Sequence, residues 1–475
     1  MARVWWGPVG ITFLRFWHCA KVNRRERIFG SIIANPNGMK SKRKLFAILT
    51  AFLCASQIAT AQEQEIISLS QYARIGQGES KTKRPVEIVD REIYSPKSVR
   101  FSADAKKIYI NSLEGGKTVV YSWPGLKKMR TISHRFSTSR EELFRYDVGE
   151  FDYRYYSEPS NAKRNEFMGK PVESELSADG KYLWVPYYRR DWDASAVSPS
   201  AIAIIDTESD QIVRVMPTGP IPKYVVASPD GRYVAVVNWG DNTVSLIDTS
   251  SGDPRRFRYI GHMTVEKQLS QEDLGGTDRD STCGFCLRGA IFSPDSQHLI
   301  VARMGKGGIA GFHIPTQQYL GSIMNIPSTP RHLVLSPDGQ TIYASSNSAG
   351  AISKAPLSKV IQALEGARGK RVDGPRWKST SVGKGARTLD ISPGGRFLFV
   401  AVNQSSELVV LDSETLQELS RMNVDPYAVG LAVAPDLSAV VLTSQGHPGT
   451  GGGNAVNIIR IRADDSATSI QLKLR

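Results

Sequence analysis

An all-β fold is what this 475-residue sequence predicts, and three observations predict it. A pattern of apolar strand, Ser-Pro-Asp-Gly-like turn and second apolar strand recurs seven times, at Ser102, Ser177, Ser228, Ser293, Ser336, Ser392 and Ala434. A third strand follows most legibly at Ala201 to Thr207, Thr243 to Thr249 and Leu408 to Glu414, and a fourth at Gln211 to Met216, Phe257 to Ile260 and Gln417 to Met422. Composition is the third observation: 41% apolar residues with 41 glycines and 25 prolines excludes polytopic membrane, collagen-like and low-complexity chains. Four antiparallel strands repeated seven times describe a seven-bladed β-propeller.

Taken in chain order, residues 1–38 carry no folding signal, and translation is expected to start at Met39. Residues 39–61 read as a cleavable signal peptide: the basic run after Met39, the apolar stretch Leu45 to Ala55, and the small-residue cleavage site Ala59-Thr60-Ala61. Ten basic groups stand against the single acid Glu26 in residues 1–61, a net +9. From Gln62 onward there are 50 basic and 45 acidic residues, so the propeller domain, residues 62–475, carries only +5 of the formal +14. Most of the apparent affinity for nucleic acid therefore leaves with the leader, and a periplasmic or secreted location follows. Ile66 to Ile75 is expected to pair near Ser469 to Leu474 and close the ring.

Each repeated turn has a physical reason. Proline presets φ, aspartate accepts a local backbone hydrogen bond, and glycine tolerates positive φ between two β-rich runs. Asp206, Asp248 and Asp412 take the corresponding place between third and fourth strands, so they read as turn residues rather than metal ligands. Insertions at 133–170, 187–200, 262–286 and 444–454 all fall on the blade-to-blade face, the usual place for function on a rigid scaffold. Leu357 to Arg371, predicted to hold a short helix, falls on the other face.

Five residues before each turn lies the start of the innermost strand: Lys97, Val172, Lys223, Arg288, Arg331, Arg387 and Val429. Five of these seven repeat-equivalent positions are cationic. Innermost strands converge on the channel, so Lys97, Lys223, Arg288, Arg331 and Arg387 are candidates for a ligand-binding collar suited to a carboxylate, a phosphate or an acidic loop. The competing expectation is that they turn sideways and pair with acids of neighbouring blades. The first insertion is aromatic (Phe136, Phe144, Tyr146, Phe151, Tyr153, Tyr155, Tyr156 and Phe167) with seven basic and seven acidic residues, which suits a protein or sugar contact, or self-packing of a long loop.

Cys283 and Cys286 are the only cysteines beyond the leader, where Cys19 and Cys54 lie. Their Cys-Gly-Phe-Cys spacing runs directly into a strand, so a structural disulfide is the first reading, ahead of redox work. Leu287 after Cys286 excludes c-type haem attachment, and the histidines show no ligand spacing, so no metal and no cofactor is predicted. No nucleophile-elbow, zinc-protease or nucleotide-loop motif is present. If the chain were an enzyme, His332 beside Arg331 would be the general-base candidate.

The stretches PKYVVASPDGRYVAVVNWGDNTVSLIDTSSG (Pro222 to Gly252) and TLDISPGGRFLFVAVNQSSELVVLDSETL (Thr388 to Leu416) resemble the bacterial YVTN β-propeller repeat family of the lactonase-like propeller superfamily. The resemblance implies an exported seven-bladed propeller. Similar propellers include exported binding proteins, a nucleic-acid binder and lactonase-like enzymes, so three functions are open. The first is a binding protein that offers its cationic mouth to an anionic small molecule or partner protein. The second is a hydrolase using the same mouth, and the third is single-stranded nucleic-acid binding, which +5 disfavours.

Overall fold

The computed structural model describes residues 67–463 apart from 81, 145–166, 191, 192, 194, 271, 275–277 and 447–452. The readings of 1–38 and 39–61 lie outside the described residues. Seven mainly antiparallel sheets form the blades of a propeller, as the repeats predict. Their innermost strands are Pro96–Phe101, Glu175–Leu176, Pro222–Ala227, Leu287–Phe292, Pro330–Leu335, Ala386–Ile391 and Ala428–Val433, and consecutive ones stand side by side around the channel.

The core is distributed between blades rather than gathered at one centre. Leu246 of blade 3 packs with Phe292 and Phe312 of blade 4, and Phe397 of blade 6 with Leu431 and Leu442 of blade 7. Burying each such side chain stabilises the fold by about 1.5 to 3 kcal/mol. Inner strands approach so closely that a Cβ at Gly289 would stand 2.7 Å from the Arg331 carbonyl oxygen, and one at Gly430 would stand 2.5 Å from that of Lys97. Glycine at these positions keeps the channel narrow.

The turn chemistry is as the residue types dictate. Ser102 Oγ donates to Asp104 Oδ1 at 2.6 Å and accepts from the Lys107 N–H at 2.9 Å, and the same pair of bonds recurs at Ser177 and Ser228. The position after the aspartate takes positive φ whether it holds Gly231 (72°), Ala105 (54°) or Leu437 (58°), so the turn imposes this conformation even where no glycine eases it. Asp206, Asp248 and Asp412 accept from Ser209, Ser250 and Thr415 N–H or hydroxyl groups within their own turns.

The ring is closed by the N-terminal strand Ile67–Gly76, but its partner differs from the expected one. It pairs antiparallel with Ala455–Ala463, Ile67 opposite Ala463 and Gly76 opposite Ala455, while Ser469 to Leu474 lies outside the described residues. The reason is apolar patterning: Ile458 buries with Ala73 and Ile75 on one face and Ile459 and Ile461 with Ile67 on the other, whereas Ile470, Leu472 and Leu474 alternate with polar residues and could cover one face alone. Val86–Val89 then covers the outer edge of that blade by parallel pairing.

The helix predicted after Leu357 is present as Leu357–Ala367, burying Leu357, Val360, Leu364 and Ala367. It leads into Arg371–Val372, which pairs with blade 4 before the chain returns to blade 5 as Lys378–Ser381. Strand is present where the loop reading of two insertions expects none. Tyr187 to Arg190 continues the strand Tyr182–Arg190, and Phe167–Pro171 pairs alongside it. Phe136 and Phe144 are buried edge to face at 5.3 Å over Tyr187, so these two aromatics pack internally; Tyr146, Phe151, Tyr153, Tyr155 and Tyr156 lie outside the described residues. Among the described residues no helix is long and apolar enough to cross a membrane.

Candidate functional site at the channel mouth

In six of the seven blades the ladder between first and second strands slips by one residue at the position the repeats mark, for example between Pro96 and Ser98 and between Pro330 and His332. A β-bulge re-aims the extra side chain, which explains how Lys97 and Arg331 can join the channel-facing set despite standing next to residues that already face it. Arg288 Nη2 lies 3.0 Å from Glu173 Oε1, and Glu173 lines the central cavity.

Four of the five collar residues also have a contact on the loop-rich face. Lys97 Nζ donates to Gln445 Oε1 at 3.3 Å, the Arg331 guanidinium touches the Met304 sulfur at 3.1 Å, and the Arg387 guanidinium stands 5.8 Å from the Tyr427 ring centre. Lys223 is the most enclosed in aromatic surface: its ammonium lies 3.7 Å over the Trp239 ring and 5.0 Å from that of Tyr188, and it pairs with Asp280 from the 262–286 insertion. Arg288 and Lys223 thus each have an acidic partner, Glu173 and Asp280. Among the described residues no carboxylate lies within ion-pair distance of Lys97, Arg331 or Arg387.

The electrostatic result is mutual repulsion among cations of which Arg288 and Arg387 are buried and the other three half-buried. Burial, reinforced by Arg387, Arg288 and Arg331, holds the Lys97 ammonium well below the usual lysine range. Burial and the Arg387 and Arg288 charges do the same to Arg331, and Arg387 is pushed down to about 10 by burial and Arg288. Lys223 falls to about 7, from burial first and Arg288 second, with Asp280 opposing. Buried charges are ordinarily paired. Five cations with only Glu173 and Asp280 against them are an arrangement that another anion would relieve.

His332 lies one step deeper. Its Nδ1 accepts from the Leu389 N–H at 3.5 Å, so Nε2 carries the proton and donates to Tyr224 Oη at 3.0 Å. Burial and the Arg100, Arg288 and Arg331 charges push its pKa down to about 3.

No family profile matches the chain. Antigen Lp49 of Leptospira interrogans serogroup Icterohaemorrhagiae serovar copenhageni is 25% identical over 187 residues, 35% of this chain, and the match spans 41% of the antigen's length. Among solved structures, a chain of the Kuenenia stuttgartiensis hydrazine synthase superposes with a TM-score of 0.54 at 14% identity, over 82% of this chain and 100% of its own. Likeness at this level shows the propeller fold alone.

Apart from His332, two further tiers of the channel escaped the sequence reading. Four residues before the turns stand Glu173, Tyr224, His332 and Thr388. Two before stand Arg100, Glu175 and Asp390 from blades 1, 2 and 6, facing Val226, Ile291 and Val334 from blades 3, 4 and 5. Aligning the repeats at those two offsets, as was done for the collar, was the signal that would have found them.

The two cysteines are joined, with Cα atoms 4.8 Å apart. Cys286 takes φ of 48° and its N–H closes the turn onto the Cys283 carbonyl at 2.9 Å, while Met304 N–H bonds back to Cys286. The disulfide thus pins the segment that carries Asp280 next to the residue Arg331 touches.

Proposed function

We propose that this chain is an exported binding propeller whose cationic, loop-rich mouth takes an anionic small molecule or an acidic segment of a partner protein. The observation that supports it is the convergence of Lys97, Lys223, Arg288, Arg331 and Arg387 from five blades, three of them with no carboxylate partner among the described residues. The disulfide suits an oxidising compartment, in keeping with the leader read at 39–61. The lactonase-like alternative needs His332 as a base, and a ring held neutral with its proton affinity this low is a poor one.

Calorimetric titration with inorganic sulfate tests the reading. The Arg331→Gln/Arg387→Gln double variant removes two charge-assisted hydrogen bonds of roughly 1.5 to 3 kcal/mol each, so affinity should fall by about two to four orders of magnitude with the fold retained. Unchanged binding sinks the mouth as the site. Lactone hydrolysis that disappears in His332→Ala would favour the enzyme instead.

A further inference from the structure

Beneath the collar the channel widens into a cavity of about 250 Å³, lined by the two deeper tiers. At water's volume of about 30 Å³ per molecule it has room for roughly eight water-sized groups. The sign of the charge changes along its axis. The mouth holds five cations against Glu173 and Asp280, whereas the floor holds Arg100 against Glu175 and Asp390. Three residues of strand separate the two levels, about 10 Å.

The floor offers both kinds of hydrogen bond. Arg100 spends Nε and Nη2 on the Ser174 carbonyl and on Glu175, the latter at 2.7 Å, yet its side chain stays 34% exposed because it borders the cavity. Asp390 accepts from the Ile391 and Val433 N–H groups at 2.9 and 3.0 Å, which leaves further lone pairs. Tyr224 Oη accepts a hydrogen bond from His332 Nε2–H, so its own hydroxyl proton is turned elsewhere, and Tyr224 lines the cavity. Opposite stands the apolar wall of Val226, Ile291 and Val334.

We propose that the cavity takes the uncharged, hydroxyl-bearing body of a small monocarboxylate whose carboxylate is held at the collar; this rests on the mouth being an anion site. A second anionic group would have to lie beside Glu175 and Asp390, and a purely hydrocarbon body would cover the floor's polar atoms without bonding them.

The test is calorimetry on the whole chain at about pH 6.5, where the acids used are ionised, with inorganic sulfate, hexanoate, 6-hydroxyhexanoate and hexanedioate. Sulfate reads the mouth alone. The expected order is 6-hydroxyhexanoate at least five-fold tighter than hexanoate and hexanedioate at least ten-fold weaker than hexanoate. Tyr224→Phe should erase the hydroxyl advantage, and Val334→Phe, which fills the cavity, should weaken 6-hydroxyhexanoate ten-fold or more, both leaving sulfate binding intact. Three carboxylates of equal affinity, a preference for hexanedioate, or sulfate binding with no carboxylate binding would each overturn the cavity assignment while the mouth stands. Absence of binding by every probe, sulfate included, would overturn both.

Discussion

Glu173 Oε1 lies 3.0 Å from Arg288 Nη2, and this carboxylate also stands among the charges that act on Lys97, Arg331 and Arg387. It is an internal anion sitting where a ligand's would sit, and competition between the two sets the affinity of the mouth. Glu173→Gln should therefore tighten sulfate binding about ten-fold, equivalent to about 1.4 kcal/mol. Weaker binding in the variant would show that Glu173 positions Arg288 rather than competing with the ligand.

Arg331 is half-buried among like charges and touches sulfur rather than a carboxylate. Replacing it with glutamine removes repulsion that the empty protein carries, so Arg331→Gln should melt about 1 °C or more above the wild type while binding sulfate less tightly. A lowered melting temperature would mean that the guanidinium holds the blades together.

Lys223, at about 7, binds its proton less tightly in the fold than in the unfolded chain, where the ordinary value is 10.5. Unfolding therefore takes up a proton between those two pH values, and the contribution of Lys223 to stability rises with pH through that window. Binding runs the other way. Sulfate keeps its charge, so its affinity should fall as pH rises through about 7 and Lys223 deprotonates, and Lys223→Gln should be weaker than the wild type below that pH and converge on it above.

The bond between Cys283 and Cys286 closes a short loop, worth about 2 kcal/mol on the chain-entropy view. Peptide mapping of thiol-labelled, unreduced protein should find both cysteines unmodified. After reduction, hydrogen exchange should rise in residues 278–286 while the inner strands keep their protection. A collapse of protection in all blades would make the disulfide a global rather than a local clamp.

Ile75 is fully buried in the closing strand and packs on Val456 and Ile458. Ile75→Ala should cost about 2 to 5 kcal/mol, read by denaturant titration, because it deletes side chain from the seam where the ring joins. A cost under 1 kcal/mol would mean that closure contributes little to the fold.

The blades were legible in the sequence because each turn is satisfied locally: Ser228, Asp230 and Gly231 carry their own hydrogen bonds and positive φ, whatever surrounds them. The collar positions were legible as a set for the same reason. Their direction was not, because strict alternation would put Lys97 and Arg100 on opposite faces, and only the bulge after Pro96 reconciles them. Asp280 was beyond reach as well, since nothing local says that an insertion from blade 3 will fold back onto Lys223.

The ladder between Ile67–Gly76 and Ala455–Ala463 couples the first described strand to the last. Ile67–Gly76 is made before every other described strand and must wait for Ala455–Ala463, so the ring closes only after the blades between them have been made, and contacts of such separation form slowly. During that interval the waiting strand presents unpaired backbone to any neighbour. The same ladder that finishes the propeller therefore sets how long its closing strand must be kept from other copies of the chain.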